Sequence, residues 1–375
     1  MIYKKYKDKN LSLLGFGMMR LPLKDDKTID QELTNKMVDL AIKNGVNYFD
    51  TAYFYLNSQS ENATRIALEK YSRESYYLAT KFPGHELKGD KYPQEVFENQ
   101  LKNCGVEYFD FYLLHCIKDD NIDTYLDPKW GIVDYFLEQK RLGRIKHLGF
   151  SHHGSYENLK AFLEAVGDKI DFCQLQTNYV DWTLSQIKEK NDLLIQYNIP
   201  LWVMEPVRGG RIASFNDEIT QKLKALRPNE SIPSWAFRFV QGIDNVGMIL
   251  SGMSALEQVE DNLKTFEDYK PLNEEEMKLL AEIVDFIKND VPCTGCEYCM
   301  SHCPIGINIP ELIKCYNKMR ISVKQEQLDE IDKIDDSVKP HSCIGCGACS
   351  DICPQHIAVP KIMKAVSEIY NKNRN

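Results

Sequence analysis

An α/β protein is predicted, a (β/α)8 TIM barrel followed by a small, mainly helical domain, and three observations predict it. Eight short, nearly continuously apolar runs lie between residues 11 and 252. Amphipathic stretches of helical period separate them, which is the pattern of parallel strands buried on both faces. Behind them, eight of the 12 cysteines fall between Cys293 and Cys353.

The expected strands are LSLLGF (11–16), VNYFD (46–50), YYLATK (76–81), FDFYLLH (109–115), IKHLGFS (145–151), DFCQLQ (171–176), IPLWVME (199–205) and NVGMILSG (245–252). Eight strand–helix units in about 255 residues match the count and size of a (β/α)8 barrel. A doubly wound open sheet would have fewer strands. The first long helix shows the logic: Asp30 caps it, Leu33, Met37, Leu40 and Ala41 line one face, and Asn44-Gly45 ends it. The barrel is assigned residues 1–266. A connecting helix follows over 267–290, capped by Asn273, with Glu274, Glu275 and Glu276 at the positive end of its dipole. Leu279, Leu280, Ile283, Phe286 and Ile287 form its apolar stripe. Residues 291–375 form the second domain, whose last dozen or so residues are expected to fray. Apart from a duplicated cysteine motif there is no internal repeat.

Composition excludes several classes. The chain has 375 residues, 46 basic against 55 acidic, for a net charge of −9. An acidic surface argues against a nucleic-acid partner. No apolar run approaches the ~18 residues of a membrane span, and MIYKKYKDKN lacks the apolar centre of a secretion signal. A cytoplasmic protein without membrane partners is expected. In that reducing compartment, clustered thiols read as metal ligands rather than disulfides. Cys104, Cys116, Cys173 and Cys315 lie apart and are expected to be buried as small apolar residues.

Cys293-x2-Cys296-x2-Cys299-x3-Cys303-Pro304 recurs as Cys343-x2-Cys346-x2-Cys349-x3-Cys353-Pro354. This is the [4Fe–4S] run of bacterial ferredoxins. Three thiolates on one tight loop cap three irons of a cube, and in two-cluster proteins the fourth comes from the other motif. Cys293, Cys296, Cys299 and Cys353 are therefore assigned to one cluster, and Cys343, Cys346, Cys349 and Cys303 to the second. Gly295, Gly345 and Gly347 let the loops bend. Zinc also favours Cys-x2-Cys pairs, but a zinc site has four ligands and no Cys-Pro ending. The run resembles two-[4Fe–4S] ferredoxin domains. The long gap between the motifs, with helical text such as PELIKCYNKM, points to a helical ferredoxin-like module.

In the barrel, the last residues of expected strands two, three and four are Asp50, Lys81 and His115, and Tyr55 follows in the loop after Asp50. Active sites of such barrels lie at the C-terminal ends of the strands. A tyrosine hydroxyl titrates near 10, and a neighbouring ammonium lowers that by favouring phenolate. Asp50 would hold the lysine and His115 would orient a substrate oxygen. The set can give a proton to a carbonyl oxygen while hydride reaches its carbon.

Residues 10–266 resemble the aldo-keto reductase family in GFGMMR (15–20), GVNYFDTAYFY (45–55), LATKF (78–82), LLH (113–115), GFS (149–151), VMEPV (203–207) and SGMSALEQVEDNL (251–263). The resemblance implies a catalytic tetrad of Asp50, Tyr55, Lys81 and His115, with Tyr55 as general acid. It implies NADPH extended across the barrel mouth, with Ser151, His152 and Gln174 at the carboxamide. The family often has Asn where this chain has His152, and a stacking tyrosine where it has Met204. Pro206, Val207, Arg208 and Gly209, with Gly210, would follow the pyrophosphate. Arg20 is added to the nucleotide-binding set. Gly252, Ser254, Gln258 and Asn262 match the subgroup that includes potassium-channel β subunits. The Lys and Arg that clamp a 2′-phosphate elsewhere in the family are missing, so NADH is a candidate beside NADPH.

Nicotinamide passes two electrons as hydride and a [4Fe–4S] cluster passes one, so a flavin such as FMN is a further candidate as mediator. Three readings follow. One is a carbonyl reductase whose clusters exchange electrons with a redox protein partner. Another is a plain reductase with structural clusters, and the third is a redox-sensing module without catalysis. Tyr53, Phe54, Tyr179, Trp182 and Trp202 either line a substrate pocket or pack the barrel. His153, His302, His341 and His356 receive no role.

Overall fold

The computed structural model describes residues 1–374 except 85–92, Asn216, Asn289, Ser322 and Lys324. It opens on a hairpin, β1 (Tyr3–Tyr6) and β2 (Lys9–Ser12), joined antiparallel through Lys7 and Asp8. The barrel strands follow as β3 (Leu14–Gly17), β4 (Tyr48–Asp50), β5 (Tyr77–Phe82), β6 (Phe109–Ile117), β7 (Ile145–His152), β8 (Phe172–Gln176), β9 (Leu201–Met204) and β10 (Val246–Gly252). They close in the order β10-β3-β4-β5-β6-β7-β8-β9, every pair parallel. The expected strand 11–16 is a correction: Leu11 and Ser12 belong to the hairpin and the barrel begins at Leu14. The hairpin escapes sequence reading because its turn has no glycine or asparagine; Lys7 itself takes the left-handed conformation, φ 53°.

Inward-facing side chains fill the barrel, so its lower half is a packed core rather than a pore. Tyr48, Phe111, Phe172, Trp202 and Met248 are all fully buried there together with Tyr6 of the hairpin. Trp202 meets Phe172 with ring centroids 4.8 Å apart and Tyr6 at 5.0 Å. Removing such a ring from water is worth on the order of 2–3 kcal/mol. The structure therefore settles Trp202 as core and not as a pocket wall.

The first long helix runs Gln31–Lys43, with Asp30 accepting from the Leu33 N–H, as its sequence predicts. The helix Glu274–Ile287 starts in a capping box. Asn273 Oδ1 accepts from the Glu276 N–H at 3.0 Å, and Glu276 Oε2 accepts from the Asn273 N–H at 2.8 Å. Arg227, just after the helix Asp217–Leu226, anchors the same carboxylate.

The chain forms two compact units, Met1–Arg208 with Ile212–Glu282, and Gly209–Arg211 with Ile283–Asn375. Three residues of the loop after β9 thus belong to the second unit. There Arg211 is ion-paired to Asp290, and Gly209 (φ 64°) lies so close to Thr294 that a Cβ would sit 1.8 Å from its carbonyl oxygen. Helices Ile309–Ile321, Gln325–Asp332, Ala348–Asp351 and Val359–Arg374 build the rest. The expected fraying of the C-terminus is a second correction. Val359, Met363 and Val366 are buried in the unit's core with Ile362, Ile369 and Tyr370 against it, a spacing that marks one helical face. Arg374 closes the helix on Asp329 and Asp332. No described helix is long and apolar enough to cross a membrane.

Candidate active site and cluster cavities

The strand ends bring Asp50, Lys81 and His115 to one rim of the barrel, and the loop after β4 returns Tyr55 to the same place. Lys81 is fully buried, and its Nζ donates to Asp50 Oδ1 and, at 2.8 Å, to the Thr51 carbonyl. That Nζ lies 4.7 Å from the Tyr55 ring centroid. The Tyr55 and His115 rings meet edge to face, centroids 5.8 Å apart. Two local distortions aim these groups. After Tyr55, the non-glycine residues Leu56, Asn57 and Ser58 all hold positive φ, 52°, 54° and 63°, each costing roughly 1–2 kcal/mol. After His115, β6 carries a bulge. Its pairing with β7 skips between Leu114 and Ile117, and Cys116 sits at φ 58°. Ser151 Oγ accepts from the Cys116 N–H at 2.8 Å, and Asn121 Nδ2 donates to the Cys116 carbonyl at 2.9 Å.

Burial pushes Asp50's carboxyl up and Lys81's ammonium down, and their mutual ion pair opposes both. The Tyr55 hydroxyl is held well above its ordinary value, first by burial and then by Asp50, Glu205 and Cys116, against the pull of Arg20. The lowering expected from Lys81 is outweighed by burial first and by the Asp50 charge next.

Of the predicted nucleotide-binding residues, Ser151 and Gln174 pair across β7 and β8, and Gln174 Nε2 donates to Asp50 Oδ2 at 3.4 Å. They share the tetrad's rim. His152 does not. Successive strand residues face opposite ways, and His152 turns outward to Asn158 Oδ1 at 2.9 Å. Arg20 lies across Gly252, where a Cβ would meet its stem at 3.1 Å, and it pairs with Glu205 at 3.2 Å. Ser254 N–H donates to Gln258 Oε1 at 2.8 Å, and Asn262 Nδ2 to Ser251 Oγ at 2.9 Å. Met204 ends β9 half-buried, followed by buried Pro206 and half-buried Val207. Arg208 is buried against Asp181, 3.0 Å away, while Gly209 belongs to the second unit. Tyr179 and Trp182 both pack edge-on to Phe239, and Tyr53 and Phe54 pack on each other. Sequence reading missed Glu61, Asp181 and Glu205. Only Glu205 carried a signal, a carboxylate at a strand end.

Burial lowers His152 to about 3, with Lys190 adding to the effect, and lowers His147 beneath the barrel to about 4. Both sit below the unfolded value of 6.5. The unfolded chain therefore binds protons first, and stability is lost as pH falls through 6.5. By pH 5 each histidine should cost about 2 kcal/mol. The tryptophans, Trp130, Trp182, Trp202 and Trp235, all lie in the barrel unit, so fluorescence-detected urea midpoints at pH 7 and pH 5 read this loss. His152→Asn should remove about half of it, and equal midpoints would contradict the assignment.

In the second unit two cavities carry the eight clustered cysteines. One is lined by Cys293, Cys296, Cys299 and Cys353. The other is lined by Cys303, Cys343, Cys346 and Cys349. Each motif thus lends its fourth cysteine to the other's cavity. Gly295, Gly345 and Gly347, at φ 65°, 70° and 84°, turn the loops. Burial and the surrounding sulfurs push the Cys299 thiol up to about 12. Iron loading must therefore displace protons. The remaining cysteines, Cys104, Cys116, Cys173 and Cys315, are buried as expected.

Comparison with known proteins matches residues 13–285 to the Aldo/keto reductase family and residues 292–358 to a 4Fe-4S dicluster domain. An uncharacterized oxidoreductase of Bacillus subtilis is 24% identical over 301 residues, 73% of this chain and 92% of the relative. Among solved structures, an aldo-keto reductase of Bacillus halodurans in its holo form superposes with a TM-score of 0.62 at 24% identity, covering 76% of this chain and 96% of the other. One from Klebsiella pneumoniae in complex with NADPH gives 0.61 at 18% identity, over 76% and 96%.

Proposed function

Since the chain belongs to the aldo/keto reductase family, as an NAD(P)-dependent oxidoreductase that also carries a 4Fe-4S dicluster domain, we propose that it reduces an aldehyde or ketone with NADPH or NADH. The observation that carries this reading is the buried Asp50–Lys81 pair beneath Tyr55, with His115 edge-on to the same ring. The nucleotide supplies hydride to the carbonyl carbon. Tyr55 gives its proton to the carbonyl oxygen, which turns basic as it gains charge. An alkoxide is a stronger base than a phenolate, so a tyrosine held in its protonated form can still donate. His115 orients the oxygen, and Lys81, fixed by Asp50 and the Thr51 carbonyl, steadies the phenolate left behind. Solvent then returns the proton. Ser151 and Gln174 are the groups for the carboxamide, and Arg20, Gly252, Ser254, Gln258 and Asn262 those for the rest of the nucleotide. The Klebsiella neighbour's NADPH supports a nicotinamide nucleotide over FMN at this mouth.

The eight cavity cysteines hold two [4Fe–4S] clusters, which supply one-electron transfer toward a redox protein partner. A second reading makes the clusters structural. It is favoured by the cysteines themselves, since Cys349 and Cys353 belong to the unit's buried core and Cys293, Cys299, Cys303 and Cys343 pack against it.

The test is anaerobic addition of NADPH and a series of aldehydes and ketones to protein with reconstituted clusters. Carbonyl-dependent NADPH oxidation with alcohol formed one for one is expected. Tight NADPH binding without turnover of any carbonyl would overturn the reductase reading. Bleaching of the cluster absorption by NADPH alone supports electron transfer, and its absence with turnover intact supports structural clusters.

A further inference from the structure

Behind the wall of β5 lies a second carboxylate that the tetrad does not include. Glu61, in the first turn of the helix Ser60–Leu68, has no exposed surface. Three neutral donors converge on it: Thr80 Oγ1 at 2.7 Å and Gln100 Nε2 at 2.8 Å on Oε1, and Asn103 Nδ2 at 3.1 Å on Oε2. Both oxygens accept, which is the pattern of an ionised carboxylate. Among the described residues no cation touches it. The same Gln100 amide donates to the Lys81 carbonyl at 3.0 Å, and its own oxygen accepts from the Tyr112 hydroxyl. Thr80, the other anchor, precedes Lys81 on β5 and faces outward where Lys81 faces inward.

We infer that Glu61 is a positioning residue for the reduction, an anion that fixes the Lys81 main chain through Gln100 and Thr80 and keeps the Lys81 side chain an ammonium. Lys81 thereby stands between two carboxylates, Asp50 in contact and Glu61 across the strand. Burial pushes the Glu61 carboxyl up, and the three hydrogen bonds and Lys81 oppose it by favouring the anion; Glu61 in turn raises Lys81 against the lowering by burial. The charged and titratable groups facing Lys81 are Asp50 from β4, Tyr55 from the following loop and Glu61 from its helix. Those facing Glu61 are Lys81, Cys104 from the helix Pro93–Cys104 and Tyr112 from β6, with Arg65 and Arg73 beyond Cys104. Burial and the Glu61 charge both raise Cys104 and Tyr112, so neither supplies a competing charge at neutral pH.

The inference rests on the carbonyl-reductase reading above, and the experiment separates the two. Glu61→Gln removes the charge at nearly constant volume. With Glu61 neutral, the Lys81 ammonium is favoured less. The alkaline limb of kcat for NADPH-dependent carbonyl reduction should then move down by about one pH unit, from the loss of one charge at close range in a buried setting. The Kd for NADPH, read by fluorescence at neutral pH, should stay within about twofold. Should Glu61→Gln fail to fold, Glu61→Asp decides, because it keeps a carboxylate in the same network and leaves Gln100 free to donate to the Lys81 carbonyl. Folding with a limb at the wild-type position is expected. An alkaline limb that stays put in Glu61→Gln, or one that is displaced in a folded Glu61→Asp protein, overturns the inference. A wild-type protein that binds NADPH and reduces no carbonyl overturns the underlying reading instead.

Discussion

Tyr55→Phe is expected to slow carbonyl reduction by on the order of 10²–10⁴-fold, the usual contribution of a positioned acid. The substitution removes one oxygen and leaves the ring that packs edge-on against His115 and over Lys81. Nothing in the nucleotide set is touched, so the NADPH Kd should be unchanged while kcat collapses. Because Tyr55 is held above its ordinary titration range by burial and by nearby negative charge, the wild-type rate should show no loss from tyrosine ionisation between pH 6 and 9. The measurements are steady-state kinetics across that range and NADPH titration by fluorescence. A phenylalanine variant that turns over at the wild-type rate would sink the assignment of Tyr55 as proton donor.

The second large effect concerns iron. Cys296→Ala and Cys346→Ala each remove one sulfur from a different four-cysteine cavity. Each variant should lose one cluster's worth of iron, about four atoms per chain. Each should also destabilise the second unit, whose core is built partly from the ligating cysteines. A sharper version uses the shared ligands. Cys353→Ala should mimic Cys296→Ala, its partner in space, and Cys303→Ala should mimic Cys346→Ala. Iron analysis and the electron paramagnetic resonance of each reduced protein read this. Full iron in the single variants, or a loss that follows sequence neighbours, would refute the exchange of fourth ligands.

Much of this molecule was legible before any coordinates. Strand positions followed from apolar runs because parallel barrel strands are buried on both faces, and seven of the eight began and ended within two residues of expectation. The strand at 11–16 failed because an apolar run says nothing of where a hairpin ends and a barrel begins. The cysteine partition was readable because the run is that of two-cluster ferredoxins, in which each motif gives its fourth cysteine to the other's site. His152 was misplaced for the opposite reason: a neighbour in sequence on a strand points to the other face, and proximity to Ser151 carried no geometric content. Glu61 was invisible because its chemistry comes from Thr80, Gln100 and Asn103, which lie 19 to 42 positions away. The C-terminal helix was legible and overlooked, since the spacing of Val359, Met363 and Val366 already marked a buried face.

The placement of Gly209–Arg211 has a consequence for how the chain is made. Arg211 pairs with Asp290, 79 positions later, so on a ribosome releasing chain from its N-terminus the loop after β9 emerges long before its neighbours exist. The β10 strand and the helices around it can form while that loop is still unanchored. Its final shape waits for residues 290–294, which include Cys293, the first cysteine of the first motif. A chain cut at residue 266 would keep all eight barrel strands and still lack the groups that complete this turn. In this protein the finishing of the turn after β9 is scheduled by the synthesis of the segment that opens the cysteine-rich unit.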